Sequence, residues 1–192
     1  MEKTMEETWD QLSPDSRMND VLSAYPWAQR ALFRKYHIGG CQSCAFQPEE
    51  TLAELCGRND RLDPGEVLAY IRESHEEDMA VQISPTEVDA YIKRGESVRL
   101  LDIRTREEWE AVRREPATRM SQDSMQEILA NWPKEGMMVI YDHLGKQSLD
   151  AATYFQGQGF SNVRCLAGGI DAWSREVDPG VRRYRLESGA SA

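Results

Sequence analysis

Two cysteines near the start of the chain are the first residues whose type and spacing could do chemistry. Cys41 and Cys44 are separated by two residues and follow the glycine pair Gly39-Gly40. Two thiols at this spacing can close a disulfide, bind a metal ion, or pass a persulfide from one sulfur to the other. A helix N-terminus at either thiol would lower its pKa by stabilising the thiolate. We therefore expect sulfur handling or thiol redox chemistry at Cys41 and Cys44.

A metal site is the alternative for the same segment. His37, Cys41, Cys44 and Cys56 supply four candidate ligands, the number that a closed zinc site requires. The second cysteine pair of a zinc-binding motif is missing, and Cys56 shares a predicted helix face with two leucines. Cys56 is therefore interpreted as a core residue and His37 as a surface or cap residue. Zinc or an iron–sulfur cluster stays an alternative, with Cys41 and Cys44 as its main ligands, and no cofactor is predicted firmly.

The second segment with chemical side chains is a loop between a predicted strand, 137–141, and a predicted helix, 148–156. Backbone N–H groups at such a junction can hold an anion. We expect the carboxylate of Asp142 to place its own charge among these N–H groups and to cap the helix. His143, a single loop histidine, is interpreted as solvent-exposed. The loop comprises Asp142, His143, Leu144, Gly145, Lys146, Gln147 and Ser148.

Strands and helices alternate around this loop. Helix starts are predicted at Ser84 and Thr105, where Glu87 and Glu108 complete capping boxes. Cys165 is interpreted as a small core residue of a strand. The alternation predicts an α/β fold, a parallel sheet with helices on both faces. Three apolar runs are predicted as its buried strands: 98–103, 137–141 and 163–166.

Residues 17–78 are predicted as a small all-helical bundle. Helices are expected to begin near Asn19, at Pro26, at Pro48 and at Pro64, with Asp63 capping the last one. His75, in the acidic stretch that ends this helix, is interpreted as solvated. The predicted division of the chain is a tail at 1–16, a helical domain at 17–78, an α/β domain at 79–186, and a tail at 187–192.

The charge distribution limits the partners. Of the net charge of −10, residues 1–80 carry 8 Lys/Arg against 16 Asp/Glu, or −8, which leaves −2 for residues 81–192. Nucleic-acid phosphates would be repelled, so no nucleic-acid partner is expected. The sequence contains no run of about 18 apolar residues, so no membrane span is expected. The acidic N-terminus is unlike a signal peptide, so we expect a cytoplasmic protein whose cysteines are thiols, ligands or redox pairs.

Residues 83 to about 176 resemble a single rhodanese-like domain. The resemblance implies the rhodanese fold and a loop cysteine that carries a persulfide during sulfur transfer. The family's DxR…E, CxxGxRS, GF and GGxxxW motifs fall, in this order, on Asp102-Ile103-Arg104 with Glu108, on residues 142–148, on Gly159-Phe160, and on Gly168-Gly169-Ile170 with Trp173.

Three departures from the family pattern put that activity in doubt. The persulfide-carrying cysteine falls on Asp142, the loop arginine falls on Gln147, and of the HIPGA stretch only Pro116 is kept. We therefore expect a rhodanese-like protein that lacks thiosulfate sulfurtransferase activity. The alternative is a non-catalytic interaction module that uses the loop around Asp142.

Residues 19 to about 72 resemble a small helical family with the pattern YP…GxxCxxC…TLxEAC. The matching residues include Tyr25-Pro26, the cysteine pair, Thr51-Leu52 and Leu55-Cys56. The segment also resembles the N-terminal domain of di-iron proteins that repair iron–sulfur clusters. These resemblances imply cysteine chemistry and little more. We separately expect a protein partner in sulfur or iron–sulfur metabolism.

Overall fold

The computed structural model describes residues 12–39 and 46–184. The chain divides into two compact units, Met1–Ala80 and Val81–Ala192. Cys41 and Cys44, the predicted tail 187–192 and most of the predicted tail 1–16 lie outside the described residues.

The N-terminal unit consists of helices around an apolar core. The core includes Met18, Leu32 and Ile71, all at most 1% exposed. Two predicted helix starts are wrong. The third helix begins after Thr51 instead of at Pro48, because Thr51 and Glu54 form a capping box, and the second helix begins at Ala28 instead of at Pro26. The helices are α1 (Met18–Ala24), α2 (Ala28–Tyr36), α3 (Leu52–Arg58) and α4 (Pro64–Ala80).

The interpretation of His75 as a solvated residue is also wrong. His75 is 8% exposed, and its ring lies 5.2 Å from the ring centroid of Tyr25 and 5.7 Å from that of Trp27. Burial lowers the pKa of the imidazole because the charged form would lose its hydration. The acidic composition of the segment did not indicate this position, because His75 occupies the inner face of α4.

The C-terminal unit confirms the predicted α/β fold. Its five-stranded sheet has the order β1-β5-β4-β2-β3, and every pair of neighbouring strands is parallel. The capping boxes at Ser84 and Thr105 are present as predicted. The strands are β1 (Gln82–Ile83), β2 (Val98–Asp102), β3 (Thr118–Arg119), β4 (Met137–Tyr141) and β5 (Val163–Leu166), and the helices are α5 (Pro85–Lys93), α6 (Arg106–Ala111), α7 (Gln122–Asn131), α8 (Ser148–Gly157) and α9 (Gly169–Glu176).

The register of the two central strands brings the motif residues to one edge of the sheet. The last residue of β2, Asp102, lies beside the last residue of β4, Tyr141. The N–H of Ile103 donates to the Tyr141 carbonyl over 3.0 Å, so the chain segments that follow β2 and β4 leave the sheet side by side. Because parallel strands end at the same edge, Arg104 and Asp142 come from distant sequence positions into one region.

None of the helices in the described ranges combines the length and the apolar character that crossing a bilayer requires.

Candidate functional site

The carboxylate of Asp142 is enclosed by the backbone of its own loop. Its Oδ2 accepts hydrogen bonds from the N–H of Lys146 over 3.1 Å and of Gln147 over 2.6 Å, and its Oδ1 accepts one from the N–H of Gly145. Asp142 is 5% exposed. The predicted helix cap is wrong, because these N–H groups precede α8, which begins at Ser148. The carboxylate instead fills the anion position of the loop.

Glycines allow the loop to close against the start of α9. Gly145 has a φ of +78°, and a Cβ atom there would lie 2.8 Å from the Gly168 nitrogen. At Gly169, with a φ of +62°, a Cβ atom would lie 2.5 Å from the Asp142 carbonyl oxygen. The Asp142 carbonyl accepts from the N–H of Ile170 over 3.0 Å. The missing side chains of Gly145 and Gly169 therefore allow the loop to pack against the start of α9, and the hydrogen bond from Ile170 holds it there.

A buried ion pair lies at the end of β2, and its arginine lines the same cavity as the loop. The Arg104 guanidinium donates from Nε to both carboxylate oxygens of Asp102, over 3.0 and 3.1 Å, and from Nη2 to Oδ2 over 2.5 Å. Both side chains are at most 1% exposed. Burial alone would lower the pKa of Arg104, but the hydrogen bonds to Asp102 and Tyr184 outweigh it and raise the pKa. Nη2 also donates to the Val112 carbonyl over 2.8 Å, so the pair fixes the end of α6.

Tyr184 is a site residue that the sequence did not indicate. Its hydroxyl donates to Glu108 Oε1 over 2.8 Å and accepts from Arg104 Nη1 over 2.9 Å. Its ring lies 4.3 Å from that of His143. Burial raises the pKa of Tyr184 to about 12, and its hydroxyl, with Thr105, lowers the pKa of Glu108 although burial of Glu108 acts in the opposite direction. Tyr184 follows the last helix and belongs to no periodic pattern, so no sequence signal could have found it.

His143 is not exposed as expected. It is 9% exposed because the ring of Tyr184 covers it, and its carbonyl accepts from the N–H of Asp171 over 3.2 Å. Within residues 12–39 and 46–184, Nδ1 of His143 has no hydrogen-bond partner. The imidazole is thus held inside the site by packing.

A cavity of about 420 Å³ opens beside the loop. Leu144 lies at its rim and is 47% exposed. Among the described residues that line it, the wall offers carboxylates, an imidazole and an ammonium group but no thiol, and Cys165 lies in β5, where it is 1% exposed. The lining residues are Ile103, Arg104, Thr105, Glu108, Asp142, His143, Leu144, Lys146 and Gln147.

The remaining candidate ligands of the N-terminal unit lie in different environments. Cys56 is fully buried in the core, and burial raises the pKa of its thiol, which disfavours the thiolate that a metal ion binds. His37 ends α2 in the left-handed conformation, with a φ of +58°. Within the described ranges, no three His, Cys, Asp or Glu side chains are grouped so that they could hold a metal ion.

Comparisons with known proteins identify the family of the C-terminal unit. The family model described as "Rhodanese-like domain" matches residues 84–176. The thiosulfate sulfurtransferase GlpE of Pseudomonas entomophila is 32% identical over 99 residues, which are 52% of this chain and 88% of GlpE. The probable adenylyltransferase/sulfurtransferase MoeZ of Mycobacterium tuberculosis is 30% identical over 104 residues, 53% of this chain, and the match spans only 26% of MoeZ.

A rhodanese-like domain protein from Staphylococcus aureus is among the solved structures that match. It is 22% identical, with a TM-score of 0.45, and the match covers 54% of this chain and 98% of that one. The identity to GlpE over most of its length, together with the matched family model, assigns the C-terminal unit. This chain belongs to the rhodanese-like family.

Proposed function

We propose that this protein does not transfer sulfur through its rhodanese loop, whose anion position is filled by its own carboxylate. The observation that supports this is the set of three N–H groups bonded to Asp142. Sulfur transfer needs a thiolate that attacks the donor and N–H groups that stabilise the charged sulfur. Here the position next to β4 carries a hard oxygen ligand, and the N–H groups are already bonded to it.

We propose further that Cys41 and Cys44 carry the sulfur or thiol redox chemistry of this protein, with the rhodanese-like unit as a scaffold or docking surface. Support comes from the spacing of the two thiols and from the relationship to proteins named as sulfurtransferases. The other two thiols, Cys56 and Cys165, are buried in cores. We also propose that the protein has a protein partner in sulfur or iron–sulfur metabolism. The proposed location is the cytoplasm, where thiols stay reduced.

Thiosulfate:cyanide sulfur transfer by the wild type and by the Asp142→Cys variant tests the first part. We expect no activity above background in the wild type and measurable activity in Asp142→Cys, because a thiolate there would meet the same N–H groups. Asp142→Asn is the matched control, since it keeps the size of the side chain without supplying a nucleophile. Equal activity of the wild type and Asp142→Cys would contradict the proposal.

Persulfide trapping tests the second part. The reduced protein is incubated with a sulfur donor, alkylated, and analysed by mass spectrometry for a persulfide or mixed disulfide on each cysteine. We expect modification at Cys41 or Cys44, lost in the corresponding serine variant and unchanged in Cys165→Ser. Thiols at both positions that stay unmodified under native conditions would overturn the assignment.

Metal analysis tests the alternative zinc or iron–sulfur site. Less than about 0.2 metal ion per chain after anaerobic purification would exclude this site, which requires one bound group per site.

A second candidate function is a non-catalytic interaction module. The observation that favours it is the exposed Leu144 in a loop that is otherwise held rigidly by hydrogen bonds. Exposed apolar side chains on a rigid surface are typical of protein-binding sites. Affinity capture with the wild type and with a Leu144→Ser/Lys146→Glu variant tests this candidate, with Tyr154→Ser, which changes another exposed residue, as the control. Identical partner sets for all three proteins would rule it out.

A further inference from the structure

A second cavity, of about 810 Å³, lies in the C-terminal unit away from the loop. It is bounded by α5, by the segment that follows α6, and by α9 with the residues after it. The two cavities have no lining residue in common. Its volume is within the range of small-molecule binding sites, and its wall combines apolar and charged side chains, as such sites do.

Two residues that line it carry buried hydrogen-bond donors that lack an acceptor. Within the part of the chain that the structure describes, Nε1 of Trp173 and Nε of Arg114 are buried atoms without a partner. Trp173 is 3% exposed, and the Arg114 guanidinium carbon lies 4.2 Å from the centroid of its ring. The two donors are therefore close together. Buried donors are nearly always bonded in native proteins, so a pair of them in a cavity indicates a missing acceptor.

The charges of the wall show what kind of acceptor is missing. Lys93 is paired with Asp89 over 2.6 Å and Arg113 with Glu115 over 2.5 Å. Among the described residues Arg114 has no ion pair, and its printed hydrogen bond is a long one, 3.5 Å from Nη1 to the Glu115 carbonyl. Burial lowers the pKa of Arg114, and the nearby carboxylates of Asp89 and Asp178 only partly oppose this shift. A bound anion would supply a counter-ion in direct contact with the guanidinium.

We propose that this cavity binds a small organic oxyanion, a carboxylate or a phosphate ester, through Arg114 and Trp173. Guanidinium groups bind carboxylates and phosphates through paired N–H donors, and stacking on the indole restricts the guanidinium to one orientation. The side chains of Val112 and Val181, each 8% exposed, line the same cavity and would contact the carbon part of the ligand. This site is independent of the function proposed for the loop.

Nuclear magnetic resonance of the full-length, ¹⁵N-labelled protein tests the proposal with two probes, inorganic phosphate and succinate. The indole N–H signal of Trp173 is identified from its absence in Trp173→Phe. We expect one or both probes to shift this signal saturably at constant ionic strength, and Arg114→Gln to weaken the binding at least about tenfold, as loss of a charge-assisted hydrogen bond does. Arg99→Gln is the matched control, because Arg99 lies 5.0 Å over the ring of Trp132 in the same kind of stack.

Three results would overturn the proposal: no saturable shift of the Trp173 signal by either probe up to about 20 mM, where even millimolar binding would be seen; equal affinity in the wild type and Arg114→Gln; or equal loss in Arg99→Gln. The dispersion of the backbone amide signals reports whether each variant is folded. If Arg114→Gln does not fold, Arg114→Lys replaces it. Lysine keeps the charge but lacks the planar set of donors, so the same weakening is expected.

Discussion

At the scale of single residues, the chemistry of the loop follows from one carboxylate. The sequence predicted a strand, a glycine-containing loop and a helix, and it predicted that the charge of Asp142 would lie among N–H groups. It could not predict which N–H groups these are, because their directions depend on the backbone angles of residues 143–147. Contact between the start of α9 and the loop determines those angles, and that contact is a tertiary interaction.

Removal of the Asp142 side chain should create an empty anion site. In Asp142→Ala three N–H groups lose their acceptor, and we expect the free energy of unfolding to fall by roughly 1–3 kcal/mol. Sulfate should restore part of this loss by binding in place of the carboxylate. Thermal unfolding of both proteins in sodium sulfate and in sodium chloride of equal ionic strength measures the effect.

The comparison between salts is the control in this experiment. General salting-out by sulfate stabilises the wild type and Asp142→Ala alike. An increase in melting temperature that is no larger in Asp142→Ala than in the wild type would show that the N–H groups do not form an anion site.

Arg104 should be among the most sensitive residues of the C-terminal unit. Arg104→Gln leaves the carboxylate of Asp102 buried without its counter-ion, and breaking a buried pair in this way costs about 3–5 kcal/mol. Urea unfolding followed by circular dichroism measures the loss. Arg106→Gln, which removes an exposed ion pair with Glu110, should change stability by less than about 1 kcal/mol. Similar losses of stability in Arg104→Gln and Arg106→Gln would show that burial does not increase the contribution of the Asp102–Arg104 pair.

At the scale of elements, the residues that start helices were the most informative part of the sequence. Ser84 with Glu87 and Thr105 with Glu108 gave helix starts that the structure contains. The start predicted at Pro48 failed because a stronger signal, Thr51 with Glu54, lies three residues later. The strands β1 and β3 have only two residues each, too few to show an alternating pattern, and they exist because neighbouring strands pair with them.

A methyl group at the start of α9 should disturb the loop. In Gly169→Ala the new Cβ would lie 2.5 Å from the Asp142 carbonyl oxygen, at a φ of +62°. We expect a loss of at least about 2 kcal/mol, since the backbone strain and the steric overlap act together. Chemical denaturation measures it, and hydrogen exchange should show faster exchange of the Gly145 and Gln147 amides.

Gly157→Ala is the matched control for this element. Gly157 ends α8, and a Cβ atom there meets nothing within 4 Å. Alanine is favoured over glycine in helices, so the variant should be neutral or more stable by up to about 1 kcal/mol. Equal effects at Gly157 and Gly169 would show that the close approach to the loop is unimportant.

At the scale of the whole molecule, acidity and burial together determine the response to pH. The alternation of strands and helices predicted the α/β fold, and the motifs spread over the C-terminal unit implied the rhodanese-like form of it. Burial of single residues was not predicted: His75 lies against the rings of Tyr25 and Trp27, and Tyr184 is bonded to Glu108 and Arg104, all far away in the sequence. Both burials have consequences for titration.

The stability of the chain should decrease as the pH falls below the ordinary histidine pKa of 6.5, because burial lowers the pKa of His75 in the folded state. The unfolded state then binds a proton more readily, so unfolding is favoured at lower pH. Asp78 acts in the opposite direction, because burial raises its pKa. His75→Phe keeps a ring between Tyr25 and Trp27 but does not titrate.

The difference in unfolding free energy between the wild type and His75→Phe isolates the histidine, because Asp78 is present in both proteins. We expect His75→Phe to become more stable relative to the wild type as the pH is lowered from about 7.5 to 5.5, the range in which an unperturbed histidine titrates. If the unfolding free energies of the two proteins change in parallel with pH, burial does not lower the pKa of His75.

The hydrogen bonds between Asp142 and its loop also set the conditions for any competitor. Because the carboxylate and the N–H groups belong to one short segment, the carboxylate is present at a high effective concentration that dilution cannot reduce. A free anion must exceed that concentration to displace it. The loop therefore stays in its anion-bound form whatever the supply of sulfur donors, and a partner that contacts it meets the same surface at all times.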